Sequence, residues 1–262
     1  MSDFEINDES DRKTIKFLDN PVVYSLTEMF GITAKNSNYK VLLLSSGLPI
    51  HNDLEKFADF ENFCDSGKSP EDKIGQSTLI SGMLKGNNSK TINGFCNKCE
   101  LFFAKVIDNK SNVNISSVIA GILWGIIQGV NIIVIPFTID KYDDTLNDTI
   151  KKATDDEIVI ISLYGKSKSP HGSYDNMIKF KYSEGKLIDE WSLKQNSNMI
   201  SILSPKNYEP FSMCGSSRFM RVSDNEAAAA FGTALTLYGV ERCNSKGIEV
   251  NNKNITNFIC ED

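Results

Sequence analysis

The chain is short of histidine. Only His51 and His171 occur in 262 residues, and imidazole is the usual general base of hydrolases, so any hydrolytic mechanism is confined to very few positions. Arginine is scarce too, four against 24 lysines, beside 25 asparagines. That bias fits an AT-rich coding sequence and concerns source rather than chemistry. Positive charge is not in excess: the net charge is −6 and the pI about 5.1, which argues against a broad nucleic-acid footprint. No apolar run reaches membrane-spanning length, because the longest candidate, 113–137, is interrupted by Gly121, Gly125, Gln128, Gly129 and Asn131. The opening MSDFEINDESDRK lacks the basic and apolar regions of a secretory signal. The expectation is a cytoplasmic or other intracellular protein, with a virion or host-cell location also compatible.

Six cysteines are present, at 64, 96, 99, 214, 243 and 260. In a chain of this size without a secretory signal they are expected as free buried thiols. Cys96 and Cys99 form a lone CxxC. No second CxxC or CxxH follows at zinc spacing, so neither metal nor cofactor is expected.

Residues 1–19 read as a polar arm and 20–262 as one domain. Apolar runs at 40–45, 101–107, 131–137, 157–163, 177–182 and 199–203 read as strands, most of them continuous as in strands covered on both faces. Helical patterns lie between them. At 115–128 the apolar residues recur at i, i+3, i+4 and i+7. Further helices are expected at 146–154, in the alanine-rich stretch that starts near Asp224, and after Asn254. Alternating strands and helices predict an α/β fold, a three-layer doubly wound and mostly parallel sheet. Sites in such sheets form at the carboxyl ends of strands. Three junctions qualify: Ser45-Ser46-Gly47, Gly75-Gln76-Ser77 and Ser223-Asp224.

These junctions carry a family resemblance. YKVLLLSSGLPIHNDL is similar to the first catalytic block of the subtilases, the subtilisin-like serine peptidases, in which an apolar strand ends in Asp-[Ser/Thr]-Gly. GQSTLISGMLKG resembles the second block, His-Gly-Thr-His-Val-Ala-Gly. EIVIISLYGKS resembles the oxyanion block and SDNEAAAAFGTALTLYG the nucleophile block. The region between, from GFCNKC to IVIPF, resembles the family's connecting strand, helix and strand. All five segments occur in order, over roughly residues 22–240. The resemblance implies a subtilisin-like fold.

It also implies a degenerate site. The family's Asp falls on Ser45, its His on Gln76, its Ser on Asp224 and its oxyanion Asn on Lys166. Gln76 cannot take up and return a proton at neutral pH, and Asp224 is no alkoxide nucleophile. Loss of the triad costs about 10⁴–10⁶ in rate. A one-residue slip would bring in Ser46 or Ser223, still with no histidine at the second block. In the family an edge segment pairs with substrate backbone; here it holds Pro136, which has no N–H to donate, and Thr138 where glycine leaves room.

The leading expectation is an inactive subtilisin-like scaffold or protein- and peptide-binding module, with a protein or peptide partner, a possible oligomer or larger assembly, and no nucleic acid, membrane, metal or cofactor. The alternative is a hydrolase with a non-standard site built from Ser45, Lys166 or Asp224, including a Ser45–Lys166 dyad. Structural roles are also open: Asp224 as a helix N-cap, Gln76 bonding locally, Lys166 and Asp224 pairing by charge, and Pro136 merely ending a strand.

Overall fold

A computed structural model describes residues 22–30, 38–54, 57–64, 69–86, 92–96, 98–139, 141–164, 174–185, 188–206, 208–215 and 218–261. In chain order its elements are β1 (Val22–Val23), α1 (Leu26–Phe30), β2 (Lys40–Ser45), β3 (Asp59–Asn62), α2 (Gln76–Lys85), β4 (Ile92–Asn93), β5 (Glu100–Lys105), α3 (Ile115–Gln128) and β6 (Ile132–Ile135). There follow α4 (Asp144–Asp155), β7 (Val159–Leu163), β8 (Ile178–Glu184), β9 (Ser192–Asn196), β10 (Met199–Ser204), β11 (Phe211–Cys214), β12 (Arg218–Arg221), α5 (Asp224–Lys246) and α6 (Asn252–Glu261). Eight strands make one sheet in the order β3-β5-β2-β6-β7-β8-β10-β9. Every pairing in it is parallel except β9 with β10. This α/β architecture, a mostly parallel sheet flanked by helices, is the expected subtilisin-like one.

The sheet separates two apolar cores. Val41 and Leu43 of β2 join Ile80 and Met83 of α2, Ala227–Ala230 and Phe231 of α5, and Ile255 and Ile259 of α6. Leu42 and Leu44, on the opposite face, join Val118 and Ile122 of α3 and Leu146 and Ile150 of α4. Strands β2, β6 and β7 have no exposed face, which is why they read as continuous apolar runs. Towards the β9 edge the burial changes. In β8 and β10 buried residues alternate with less buried ones, so these strands are covered well on one face only. The edge strands β3 and β9 and the β11–β12 hairpin carry too few apolar residues to be found by a search for apolar runs.

Local chemistry fixes the helix ends. The Asn114 side chain accepts the Ser116 N–H at the start of α3, and Gly129, at φ 60°, ends it. Asp143 caps α4 through the Leu146 N–H. At α5 the cap is Ser223, and Asp224 is the first helical residue, an acidic side chain on the positive end of the dipole. That corrects the expectation of Asp224 as N-cap. The helix also runs to Lys246, well beyond the alanine-rich stretch.

The cysteines differ from expectation as well. Cys96 and Cys99, both buried, form a disulfide rather than free thiols. Of the other cysteines, Cys243 is buried, whereas Cys64, Cys214 and Cys260 are only half-buried. No helix among the described residues is long and apolar enough to cross a membrane.

Candidate functional site

Strand β2 delivers Ser45 to the carboxyl edge of the sheet, beside the end of β6. Ser45 is 0% exposed, and its Oγ has no hydrogen-bond partner among the described residues. The next residue turns the other way. Ser46 Oγ donates to Asp72 Oδ1 at 2.7 Å and lies 3.3 Å from Ser77 Oγ. Gly47 follows at φ 137°, and a Cβ there would lie 2.5 Å from the Pro70 carbonyl oxygen. Only glycine allows the loop before α2 to close down on β2, with Leu48 N–H donating to Pro70 O at 2.7 Å and Asp72 N–H to Leu48 O at 2.8 Å.

That closure buries Asp72. Its Oδ1 also accepts the N–H groups of Ile74, at 3.2 Å, and Gly75, at 2.7 Å. Its Oδ2 accepts the Thr78 N–H and Oγ1–H, each at 2.8 Å. Asp72 thereby does the work of a cap for α2, whose own N-cap position, Gly75, has no side chain to offer. Lys105, the last residue of β5, completes the cluster. The side chain is 0% exposed, and Nζ donates to Ser46 O at 2.6 Å, Glu71 O at 3.0 Å and Asn109 Oδ1 at 3.0 Å. Burial pushes its pKa down, partly offset by Cys64 and Asp72. Three donors meet three acceptors, as a buried ammonium requires.

Gln76 opens α2. Its Nε2 donates to the Pro136 carbonyl at 3.0 Å, across 60 residues of sequence. Its Oε1 is buried without a partner among the described residues. The expectation of a purely local hydrogen bond is therefore corrected. Pro136 lacks an N–H, and its carbonyl is already engaged by Gln76. Pro136 is buried directly after β6, and Thr138 is exposed. Asp224 is exposed at the α5 N-terminus, while the Ser223 hydroxyl donates to the Glu226 carboxylate. The Asp224 charge contributes to a raised pKa at Tyr182, where burial is the main cause. His51 lies in the turn after β2, as expected. Lys166 and His171 fall outside the described residues, and with them the Lys166–Asp224 pairing and the Ser45–Lys166 dyad.

Structure thus brings Ser45, Gln76 and Pro136 to neighbouring strand and helix ends. Sequence reasoning named Ser46 and Ser77 only as junction residues and missed Asp72, Thr78 and Lys105. Two signals were available: a lysine inside the apolar run LFFAKVI, and an aspartate three residues ahead of a glycine at a helix start. Among the described residues no three His, Cys, Asp or Glu side chains are grouped to hold a metal. One surface cleft of about 640 Å³ is lined by Asp155, Glu157, Asp175 and Glu249. Another, of about 510 Å³, is lined by Cys64, Asp108 and Asn112. Neither is lined by Ser45, Gln76 or Asp224.

Sequence comparison agrees with this fold. The chain is 27% identical over 129 residues to the thermostable alkaline protease of Halalkalibacterium halodurans, a match covering 49% of this chain and 36% of that protein. It is 25% identical over 139 residues to subtilisin Savinase of Lederbergia lenta, covering 53% and 51%. With the minor extracellular protease Epr of Bacillus subtilis it shares 24% over 136 residues, covering 52% and 21%. The relationship is distant and subtilase-like. The chain spans from about a fifth to about half the length of these curated relatives. No family model matches it.

Proposed function

We propose that the chain is a catalytically inactive subtilisin-like protein that serves as a scaffold or as a protein- and peptide-binding module. One observation carries the reading: the position that would need an imidazole holds Gln76, whose amide is committed to the Pro136 carbonyl. An amide neither accepts nor returns a proton near pH 7, so general-base activation of a hydroxyl has no agent at that point. The Ser45 hydroxyl is buried and has no hydrogen-bond partner among the described residues, which weighs against the alternative hydrolase built on it. The Gln76 bond also takes up an edge acceptor that strand addition of a peptide would use. Binding at a surface away from this edge is accordingly favoured over peptide capture within it.

A fluorophosphonate probe tests the reading directly. Incubated with the full chain and read by intact mass, it is expected to add to no serine, while an active subtilisin in the same experiment is labelled. Labelling of Ser45, Ser46 or Ser223 would overturn the inactive assignment.

A further inference from the structure

His51 is the one described histidine, and it joins the turn after β2 to the strand that leads into α5. It stands in the turn that leaves Ser45, six residues on. Its ring packs edge-to-face on Phe219 of β12, centroid to centroid 5.2 Å. Strand β12 leads through Val222 and Ser223 straight into Asp224. The imidazole side chain is only 1% exposed. Nδ1 accepts the Asp53 N–H at 3.1 Å, which places the neutral ring's proton on Nε2. Nε2 is buried and faces the Arg218 backbone without a well-formed hydrogen bond. The hairpin's other strand is held independently, since Ser212 of β11 donates its hydroxyl to Leu79 O of α2.

We propose that His51 is an acid-operated latch: neutral, it holds β12 against the turn at 50–54, and protonated, it releases β12 and loosens the strand that leads to Asp224. The geometry gives the reason. A second proton must go on Nδ1, where it meets the Asp53 N–H donor head-on. The hydrogen bond is lost, and a charge is placed in a nearly dry contact with an aromatic ring. Two groups oppose this. The Asp53 carboxylate on the same turn is 4.0 Å from Nδ1, but its side chain is 30% exposed and so screened by water. From β12, Arg218 reaches the ring through its backbone. Burial outweighs both and pushes the His51 pKa below 6.5.

The sign follows. With the ring released, its pKa returns to about 6.5. Between that value and the lower latched one, the released state binds more protons. Release therefore grows as pH falls through this window, by up to about tenfold per pH unit, and levels off below the latched pKa.

The test uses the full chain between pH 7.5 and 5.5. Two histidines give two imidazole signals in long-range ¹H–¹⁵N spectra, and His171→Gln assigns them. His51 is expected as the Nε2–H tautomer at pH 7.5, with a midpoint below 6.5. Amide exchange of β12 and of Val222, whose N–H donates to Pro210 O at 2.8 Å, is expected to rise up to about tenfold across the range after correction for intrinsic rates. Leu43 in β2 stays protected. In His51→Phe, which keeps a ring and loses the titration, hairpin protection is the same at both pH values. A midpoint at or above 6.5 overturns the latch, as does β12 protection that is unchanged with pH or falls equally in His51→Phe. If that variant does not fold, the wild-type midpoint and the contrast between β12 and β2 decide.

Discussion

Ser45 and Ser46 are adjacent and equally buried, yet their surroundings are opposites. Ser46 belongs to a cluster in which the Asp72 carboxylate accepts five hydrogen bonds and the Lys105 ammonium donates three. Among the described residues the Ser45 hydroxyl has no hydrogen-bond partner, and the neighbouring Gln76 satisfies only one end of its amide. A low-dielectric setting makes satisfied polar groups strong and unsatisfied ones costly. The cluster is thus where the fold is secured. Ser45, Gln76 and Asp224 share no hydrogen bond with one another among the described residues. In the proposed reading, the frame that once presented a catalytic site has kept its fastenings, while the positions it presented are no longer held by chemistry.

The comparison breaks most visibly at Lys105. Lys105→Ala leaves buried acceptors without donors and opens a cavity at the end of β5, and the expected loss is about 3–5 kcal/mol. Lys105→Met keeps most of the volume and is expected to lose less. Urea denaturation at pH 7 measures both. A loss below about 1 kcal/mol for the alanine variant would mean that the cluster does not secure this edge.

Gln76→Ala comes next. It removes one partly buried hydrogen bond to a carbonyl and is expected to cost about 1 kcal/mol. It also frees the Pro136 carbonyl, so binding of extended peptides at the edge should rise or first become measurable by titration calorimetry, with hydrolysis still absent. Wild-type and variant binding peptides equally would separate the edge from any binding role.

Much of this contrast was legible in the sequence on one side only. Strand β2, the register of α3 and the parallel order followed from apolar runs and 3.6-residue periodicity, since both faces of β2, β6 and β7 are buried. Ser45, Gln76 and Asp224 were singled out by motif position, and the structure places Ser45 and Gln76 at a strand end and a helix start. The cluster did not, because Asp72 and Lys105 meet through a loop closure that depends on Gly47 and on strand ends distant in sequence. Strands β3, β9, β11 and β12 escaped for another reason: edge strands and short hairpins carry few apolar residues to betray them. The local reading of Gln76 failed because its partner lies on a neighbouring strand end, a relation set by sheet order and not by spacing.

The finest test sets the two serines against each other. Ser46→Ala removes a hydrogen bond to a buried carboxylate and should cost about 1.5–3 kcal/mol. Ser45→Ala removes a buried hydroxyl that satisfies nothing, so its stability should stay within about 0.5 kcal/mol of the parent, or rise. The two substitutions delete the same atom at consecutive positions with the same burial, so local propensity and cavity size nearly cancel in the difference. What remains is the worth of a partner. Equal losses in denaturant melts would mean that Ser45 holds a bond as strong as that of Ser46, and the contrast between fastening and vacated position would collapse at its smallest unit.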